Sequence, residues 1–168
     1  MSPSGEDEEP LLRPAVRALV VDPAERVLLV RFEFADVGTV WAPPGGGIEP
    51  GEDRLTALRR ELAEEVGLLD PDIGPCVWIR THMFRSNTST RWAGQRDHVH
   101  LVRCEAMEPA PAMSWADLNA EHVMELRWWT LGELATASTR FAPDQLPRLV
   151  HTILREGIPD APFDVIHR

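Results

Sequence analysis

The chain has few cysteines, no long apolar run and no surplus of positive charge, and each shortage removes a class of function. Its two cysteines, Cys76 and Cys104, fit no metal or redox spacing and read as reduced, partly buried thiols. No hydrophobic stretch approaches the roughly 20 residues that a membrane-spanning helix needs. The N-terminal segment MSPSGEDEEP has neither the basic start nor the apolar stretch of a secretory signal, so the expected location is the cytoplasm. A net charge of −10 argues against broad binding to nucleic-acid backbone. It leaves small phosphorylated ligands open, because a bound metal reverses the local field.

What is there suits one globular domain: 168 residues, 43% hydrophobic, with no internal repeat or linker. Residues 1–13 read as a flexible acidic tail, 14–157 as the folded domain and 158–168 as an irregular C-terminal tail. AVRALVV (15–21) and VLLVRF (27–32) flank the turn DPAER (22–26) and predict a β-hairpin covered on both faces. Residues 33–41 read as a connecting loop ending at Trp41, and 107–122 as irregular. Further strands are predicted at 76–84, 98–106 and 123–130, and helices at 131–137 and 144–157. This interleaving gives an α/β class, an α/β/α sandwich around a mixed β-sheet.

The densest chemistry lies in residues 42–68. APPGGGIEPGE (42–52) holds three prolines and four glycines, which demands a tight, specific turn. A helix follows from about Asp53, a plausible N-cap, to Val66, with Gly67 as the stop. Leu55, Leu58, Leu62 and Val66 build one apolar stripe. At about 100° per residue, Glu61, Glu64 and Glu65 fall on the flank of that stripe. Glu52 stands at the helix entrance, where negative charge is favoured.

Three neighbouring carboxylates repel, and a divalent cation relieves the repulsion. Oxygen-only ligands select hard ions, Mg²⁺ first and Mn²⁺ second, and the lack of nearby His or Cys disfavours zinc. Arg60, with Glu64 four residues on, reads as the group that orients the acids rather than one that binds phosphate. An ordinary solvated helix also carries Glu and Arg at i,i+4. The glycine turn and the Glu52-to-Arg60 spacing set this one apart.

These residues resemble the Nudix box, G-x5-E-x7-R-E-U-x-E-E-x-G-U, with U aliphatic. Gly46, Glu52, Arg60, Glu61, Leu62, Glu64, Glu65, Gly67 and Leu68 fill every fixed position. The preceding hairpin, Trp41 and ELRWWTLGEL (125–134) are similar to Nudix domains too, so the likeness covers roughly residues 15–156. Ala42-Pro43-Pro44 departs from the leucine and single proline of many members and implies a stiffer loop. The resemblance implies the Nudix fold and a hydrolase of acid anhydrides. Such an enzyme cleaves the diphosphate bond of a nucleoside diphosphate linked to another moiety, with Mg²⁺ or Mn²⁺, by attack of a metal-activated water. It implies Glu61, Glu64, Glu65 and the Gly46 carbonyl as metal ligands, Arg60 as their orienting group and Glu52 as support for the loop. The partner is a small molecule; a homodimer is compatible with the family. A non-catalytic nucleotide-binding or regulatory module is the alternative, and an isoprenoid-diphosphate isomerase lacks its cysteine and glutamate pair here.

Family members take the general base either from the box or from outside it. Glu61 ranks first here; Asp97 is the outside candidate, with Glu105 and Glu121 behind it. For substrate binding, Arg31 and Arg96 are candidates for phosphate, and so are Arg80, Arg85 and Arg91. Trp92 is a candidate for stacking a base, and Asp97 belongs to the same set. Trp78 and Trp128 read as core, and His98 and His100, on one strand face, as structural. The resemblance alone leaves ADP-ribose, dinucleoside polyphosphates, oxidised nucleoside triphosphates and capped RNA open.

Overall fold

The computed structural model describes residues 9–84 and 91–166. Residues 15–21 lie in strand β1 (Leu12–Val21) and 27–32 in β2 (Val27–Phe34), and both strands are largely buried, as their unbroken apolar runs require. The remaining elements are β3 (Gly38–Ala42), β4 (Gly45–Gly47), α1 (Arg54–Glu65), β5 (Asp72–Met83), β6 (Gly94–Arg103), α2 (Trp115–Ala120), β7 (Val123–Trp129), α3 (Leu131–Thr136), α4 (Leu146–Glu156) and β8 (Phe163–Ile166). The sheet runs β3-β2-β1-β6-β5-β8, with β4 added to β1 and β7 to β2. β1–β6 and β5–β8 are parallel and the other pairs antiparallel, so the sheet is mixed as expected.

The predicted hairpin exists only at its root. β1 and β2 pair at Val20↔Leu28 and Val21↔Val27 and then splay. Beyond that point β2 turns to β3, while β1 takes β4, from Ala15↔Gly47 to Arg17↔Gly45, and β6 along its whole length. The β3–β4 connection crosses the split, held by Ala18 N–H donating to the Pro44 carbonyl at 2.9 Å. This split makes room for a site.

Each face of the sheet carries its own core. On one, Leu19, Leu29, Trp78 and Leu101 meet Leu146, Val150 and Ile153 of α4. On the other, Val16, Ala18 and Val20 meet Ala57, Leu58 and Leu62 of α1. These are the two outer layers of the sandwich. α1 starts where expected, with the Asp53 carboxylate accepting from Thr56 N–H at 2.7 Å. Its buried stripe is rotated from the predicted one. Leu58, Leu62 and Val66 are fully buried, but Leu55, in the first turn, is 43% exposed, and Ala57 and Glu65 take buried places.

Five segments differ from the sequence reading. Residues 33–41 hold the end of β2 and most of β3, and the glycine turn contains β4. α2 forms within 107–122, capped by Ser114 Oγ accepting from Asp117 N–H. β1 begins at Leu12, inside the predicted tail, and β8 pairs with β5 where an irregular C-terminal tail was expected. Short strands like these lack the length for a visible period and form because a partner strand awaits them. Cys76 and Cys104 are both unpaired, and no helix among the described residues is long and apolar enough to cross a membrane.

Candidate active site

The loop from Pro43 to Gly47 runs through a slot too narrow for side chains. A Cβ at Gly46 would stand 2.6 Å from Glu61 Oε1 and 2.9 Å from its Cδ; one at Gly47 would stand 2.6 Å from Arg13 Cζ. At these two positions a side chain would displace the movable end of Glu61 or Arg13, whereas Gly45, at φ +144°, would drive a Cβ into the Val16 carbonyl and to 2.6 Å from Arg17 Cα, so glycine is required there for close approach of the two backbones. The loop thus lies between β1, carrying Arg13 and Arg17, and α1, carrying the glutamates. Arg17 Nη1 donates to the Pro43 carbonyl at 3.0 Å and fixes the loop from its other side.

Arg60 is the hub of the site. Its Nε and Nη2 form a two-point pair with Glu52 at 2.8 and 2.9 Å. Nη1 donates to Glu61 at 2.9 Å and, more weakly, to Glu64 at 3.4 Å, and Nη2 also reaches the Gly47 carbonyl at 3.1 Å. Arg60 thus touches Glu52, Glu61 and Glu64, and its principal partner is Glu52 rather than the Glu64 that spacing suggested. The Arg60 pair, with Glu49 N–H as a second donor, holds the Glu52 carboxyl down to about 2. Glu52 thereby ties the helix entrance to the helix middle.

The three box glutamates differ in environment. Glu64 is the most open, its side chain 38% exposed, whereas Glu61 is at 12%. Glu65 is 3% exposed and accepts from Gly45 N–H at 2.8 Å. Burial pushes the Glu65 carboxyl up to about 8 against the opposing pull of the Gly45 N–H and Arg17. Burial raises Glu61 as well, against Arg60. Among the described residues no three acidic, imidazole or thiol groups already converge on one point; the carboxylates are engaged by Arg60 and Gly45 N–H instead. The donor set still fits a hard divalent cation. It is all oxygen, and the glycine slot presses loop backbone against the Glu61 carboxylate.

A cavity of about 890 Å³ opens in the split between β1 and β2, on the far side of the glycine loop from α1. Arg13, Arg17, Arg80 and Arg140 line it with Phe32, Phe34, Trp78, His82, Phe84, Gln95 and Asp97. Arg17 belongs to both regions: its guanidinium lies 5.9 Å from the Phe32 ring centre, and its Nε meets Asp97 Oδ1 at 3.3 Å. Another concavity, about 630 Å³, sits at the opposite end of β1 and is lined by Asp22, Asp70, Asp72 and Glu105 with Arg103. There four acids face a single arginine, whereas the larger cavity sets four arginines against Asp36, Asp97 and Asp144, so the larger cavity is the candidate substrate site.

The sequence-predicted residues separate accordingly. Asp97 faces the cavity, but it is 1% exposed and its carboxylate also accepts from Gln95 Nε2 at 2.8 Å. Burial opposes its charge; Arg17, Gln95, Arg80 and His82 outweigh that and keep it below the usual carboxylate range. A locked, stabilised anion is a poor base. Among the other acids, Glu105 lines the distant concavity, whereas the charge of Glu121, at the end of α2, bears on both Glu61 and Glu65. Arg31 is not among the cavity residues; it pairs with Glu125 at 2.9 Å and Glu33 at 2.7 Å. Arg96 is exposed on β6 outside the cavity, and Trp92 carries Arg91 on its ring at 4.3 Å. Arg85 lies outside the described residues. Trp41 packs edge-on against Trp129, and His100 Nδ1 meets the Gly74 carbonyl, both structural placements. Arg13, Arg17, Arg140, Phe32, Phe34 and Gln95 were missed as site residues. Five of them are an arginine, an aromatic or an amide in a strand and Arg140 sits in the α3–α4 connection, and none of these signals says which cavity a residue faces.

A family model described as NUDIX domain matches residues 11–150. The chain is similar to the RNA pyrophosphohydrolase of Caulobacter vibrioides, 30% identical over 150 residues covering 85% of this chain and 79% of that protein. It is also similar to the RNA pyrophosphohydrolase of Helicobacter pylori, 32% identical over 140 residues covering 78% and 84%. Among solved structures, the NUDIX domain of Shewanella oneidensis NrtR complexed with ADP ribose matches with a TM-score of 0.63 at 18% identity, covering 89% of this chain and 94% of that one. At that identity the likeness concerns the fold.

Proposed function

We propose a function from one premise: the chain belongs to the NUDIX family. It is a pyrophosphohydrolase, a hydrolase acting on acid anhydrides. The finer reading is cleavage of the diphosphate bond in a nucleoside diphosphate linked to another moiety, dependent on Mg²⁺ or Mn²⁺. What supports it most is the closed circuit around Arg60, where one guanidinium holds Glu52, Glu61, Glu64 and the Gly47 carbonyl in a fixed relation.

Glu61, Glu64, Glu65 and the Gly46 carbonyl would hold the cation. When bound it polarises the diphosphate and lowers the pKa of a water. The protein's own residues do the rest. Arg60 sets the rotamers of Glu61 and Glu64, and Gly45 N–H sets that of Glu65. Glu61 is assigned as the general base within the box, the group that takes the proton of the attacking water. The cavity between β1 and β2 receives the nucleoside portion, with Phe32 and Phe34 as apolar wall. Cytoplasmic placement belongs to the same reading, with Cys76 and Cys104 reduced.

The test is a panel of 5′-triphosphorylated oligoribonucleotide, ADP-ribose, dinucleoside tetraphosphate and nucleoside triphosphates, assayed with Mg²⁺ and with Mn²⁺. Cleavage of at least one is expected, lost in Glu64→Gln and Glu65→Gln. Full turnover in both variants would sink the residue assignment. Tight nucleotide binding without any product would favour a regulatory module.

A further inference from the structure

Three of the cavity's four arginines are directed at groups of the protein itself, although the buried Nε of Arg80 has no hydrogen-bond partner among the described residues. Arg17 holds Asp97 and the Pro43 carbonyl, Arg80 approaches Asp97 at 3.7 Å, and Arg140 donates to the Val37 carbonyl at 3.4 Å. Arg13 is different. Its Nη1 donates to Gln95 Oε1 at 3.2 Å, and it makes no ion pair among the described residues. Its guanidinium rests against Gly47, where a Cβ would stand 2.6 Å from Cζ and 2.8 Å from Nε. The carbonyl of that same glycine accepts from Arg60. Two guanidiniums therefore flank one peptide of the loop. Arg60 is paired with Glu52, Glu61 and Glu64, whereas the exposed Arg13 meets no acid among the described residues.

What aims Arg13 is also fixed. Gln95 is 6% exposed and gives its Nε2 to Asp97 Oδ1 at 2.8 Å. A carboxylate only accepts and a guanidinium only donates, so the amide has one workable orientation, nitrogen to Asp97 and oxygen to Arg13. The relay Asp97–Gln95–Arg13 holds at the edge of the cavity, beside the glycine loop, a cation that makes no ion pair among the described residues. Most of its N–H donors are uncommitted, and a fixed guanidinium matches phosphate oxygens at two points.

We propose that Arg13 contacts a substrate phosphate from the cavity side of the glycine loop, with Gln95 as its positioning residue. The anion's identity as a substrate diphosphate rests on the hydrolase reading above. The network also reassigns Asp97, from candidate base to the anchor of this relay.

The experiment compares wild type with Arg13→Ala, Arg13→Lys and Gln95→Met. Methylenediphosphonate is titrated calorimetrically in Mg²⁺, Mn²⁺ binding is measured without phosphate, and KM and kcat are taken on the best panel substrate. Arg13→Ala is expected to weaken diphosphonate binding and raise KM by about 10- to 100-fold, the worth of a hydrogen bond to a charged group. Arg13→Lys recovers part of the loss, Gln95→Met shows a smaller loss in the same direction, and Mn²⁺ binding stays as in wild type. Diphosphonate binding within about twofold of wild type in folded Arg13→Ala overturns the proposal. So does an equal loss of Mn²⁺ binding, which would mean that Arg13 acts through the loop. Should Arg13→Ala not fold, Gln95→Met decides, an undiminished affinity overturning the proposal. A wild type that cleaves nothing while Arg13→Ala still loses diphosphonate removes the hydrolase reading and keeps the anion site. An active wild type with an unaffected Arg13→Ala does the reverse.

Discussion

Asp97→Ala removes a buried carboxylate that three donors share: Arg17 Nε at 3.3 Å, Gln95 Nε2 at 2.8 Å and, more loosely, Arg80 Nη1 at 3.7 Å. The side chains of Arg17 and Arg80 are only 18% and 14% exposed, so little water can replace the lost partner. Breaking a buried pair from one side costs about 3–5 kcal/mol. Arg17 keeps the Pro43 carbonyl, which places the expected loss at the low end, about 3 kcal/mol. For a domain of this size each kcal/mol moves the melting midpoint by about 2–4 °C, so a fall of roughly 6–12 °C is expected by calorimetry. Asp97→Asn keeps an oxygen for Gln95 and should fall less. The sign of the pH effect follows from the lowered carboxyl. Its contribution is complete above the unfolded value of 3.8 and is lost as pH falls through the lower folded value. The gap between wild type and Asp97→Ala should therefore hold constant from about pH 5 to 8 and narrow only below about pH 4. A variant melting within about 2 °C of wild type, or a gap that closes near neutrality, would show Asp97 to be a solvated acid and refute the anchor role.

Arg60→Met should lower turnover by about 10- to 100-fold and weaken Mn²⁺ binding, because Glu52, Glu61 and Glu64 lose their common cation; steady-state rates and metal titration check this. Gly46→Ala drives a methyl into the Glu61 carboxylate, the movable end of that side chain, and should lower turnover in steady-state assays at a stability cost of no more than about 1 kcal/mol. Gly132→Ala in α3, where the nearest atom would be 3.9 Å away, should leave activity intact and stability equal or up to about 1 kcal/mol higher, read in paired urea melts. Burial, with Arg54, Arg96 and His100 nearby, lowers the His98 imidazole to about 4. A folded pKa depressed from 6.5 means that its stability contribution is complete above pH 6.5 and declines as pH falls toward 4. Urea midpoints should show that decline in wild type and a weaker one in His98→Phe, and imidazole NMR should find His98 neutral at pH 6.

Much of α1 was legible because its information is local. The Asp53 cap, the stop before Gly67 and the placement of Glu61, Glu64 and Glu65 on one flank all follow from spacing along a 3.6-residue period. The rotation of the buried stripe was not legible, since Leu55 and Glu65 exchange the burial that hydrophobicity assigns them. Which residues the helix sets against the sheet depends on how the helix sits. The same holds for β8, which becomes a strand only beside β5, and for β4, which three glycines form only because β1 offers a partner.

Arg13 shows the limit most clearly. In the sequence it closes an acidic tail; in the fold it is a β1 residue 82 positions from its partner Gln95. The sequence by itself determined the carboxylates, the arginine among them and the glycines that admit them, because those relations span a single loop and helix. Only the tertiary structure decided that Glu52 rather than Glu64 is Arg60's chief partner, and that Asp97 is locked between arginines. It also decided that the loop runs between two sets of charges. These outcomes rest on the splaying of β1 from β2 and on contacts between distant strands, and sequence spacing carries no record of either.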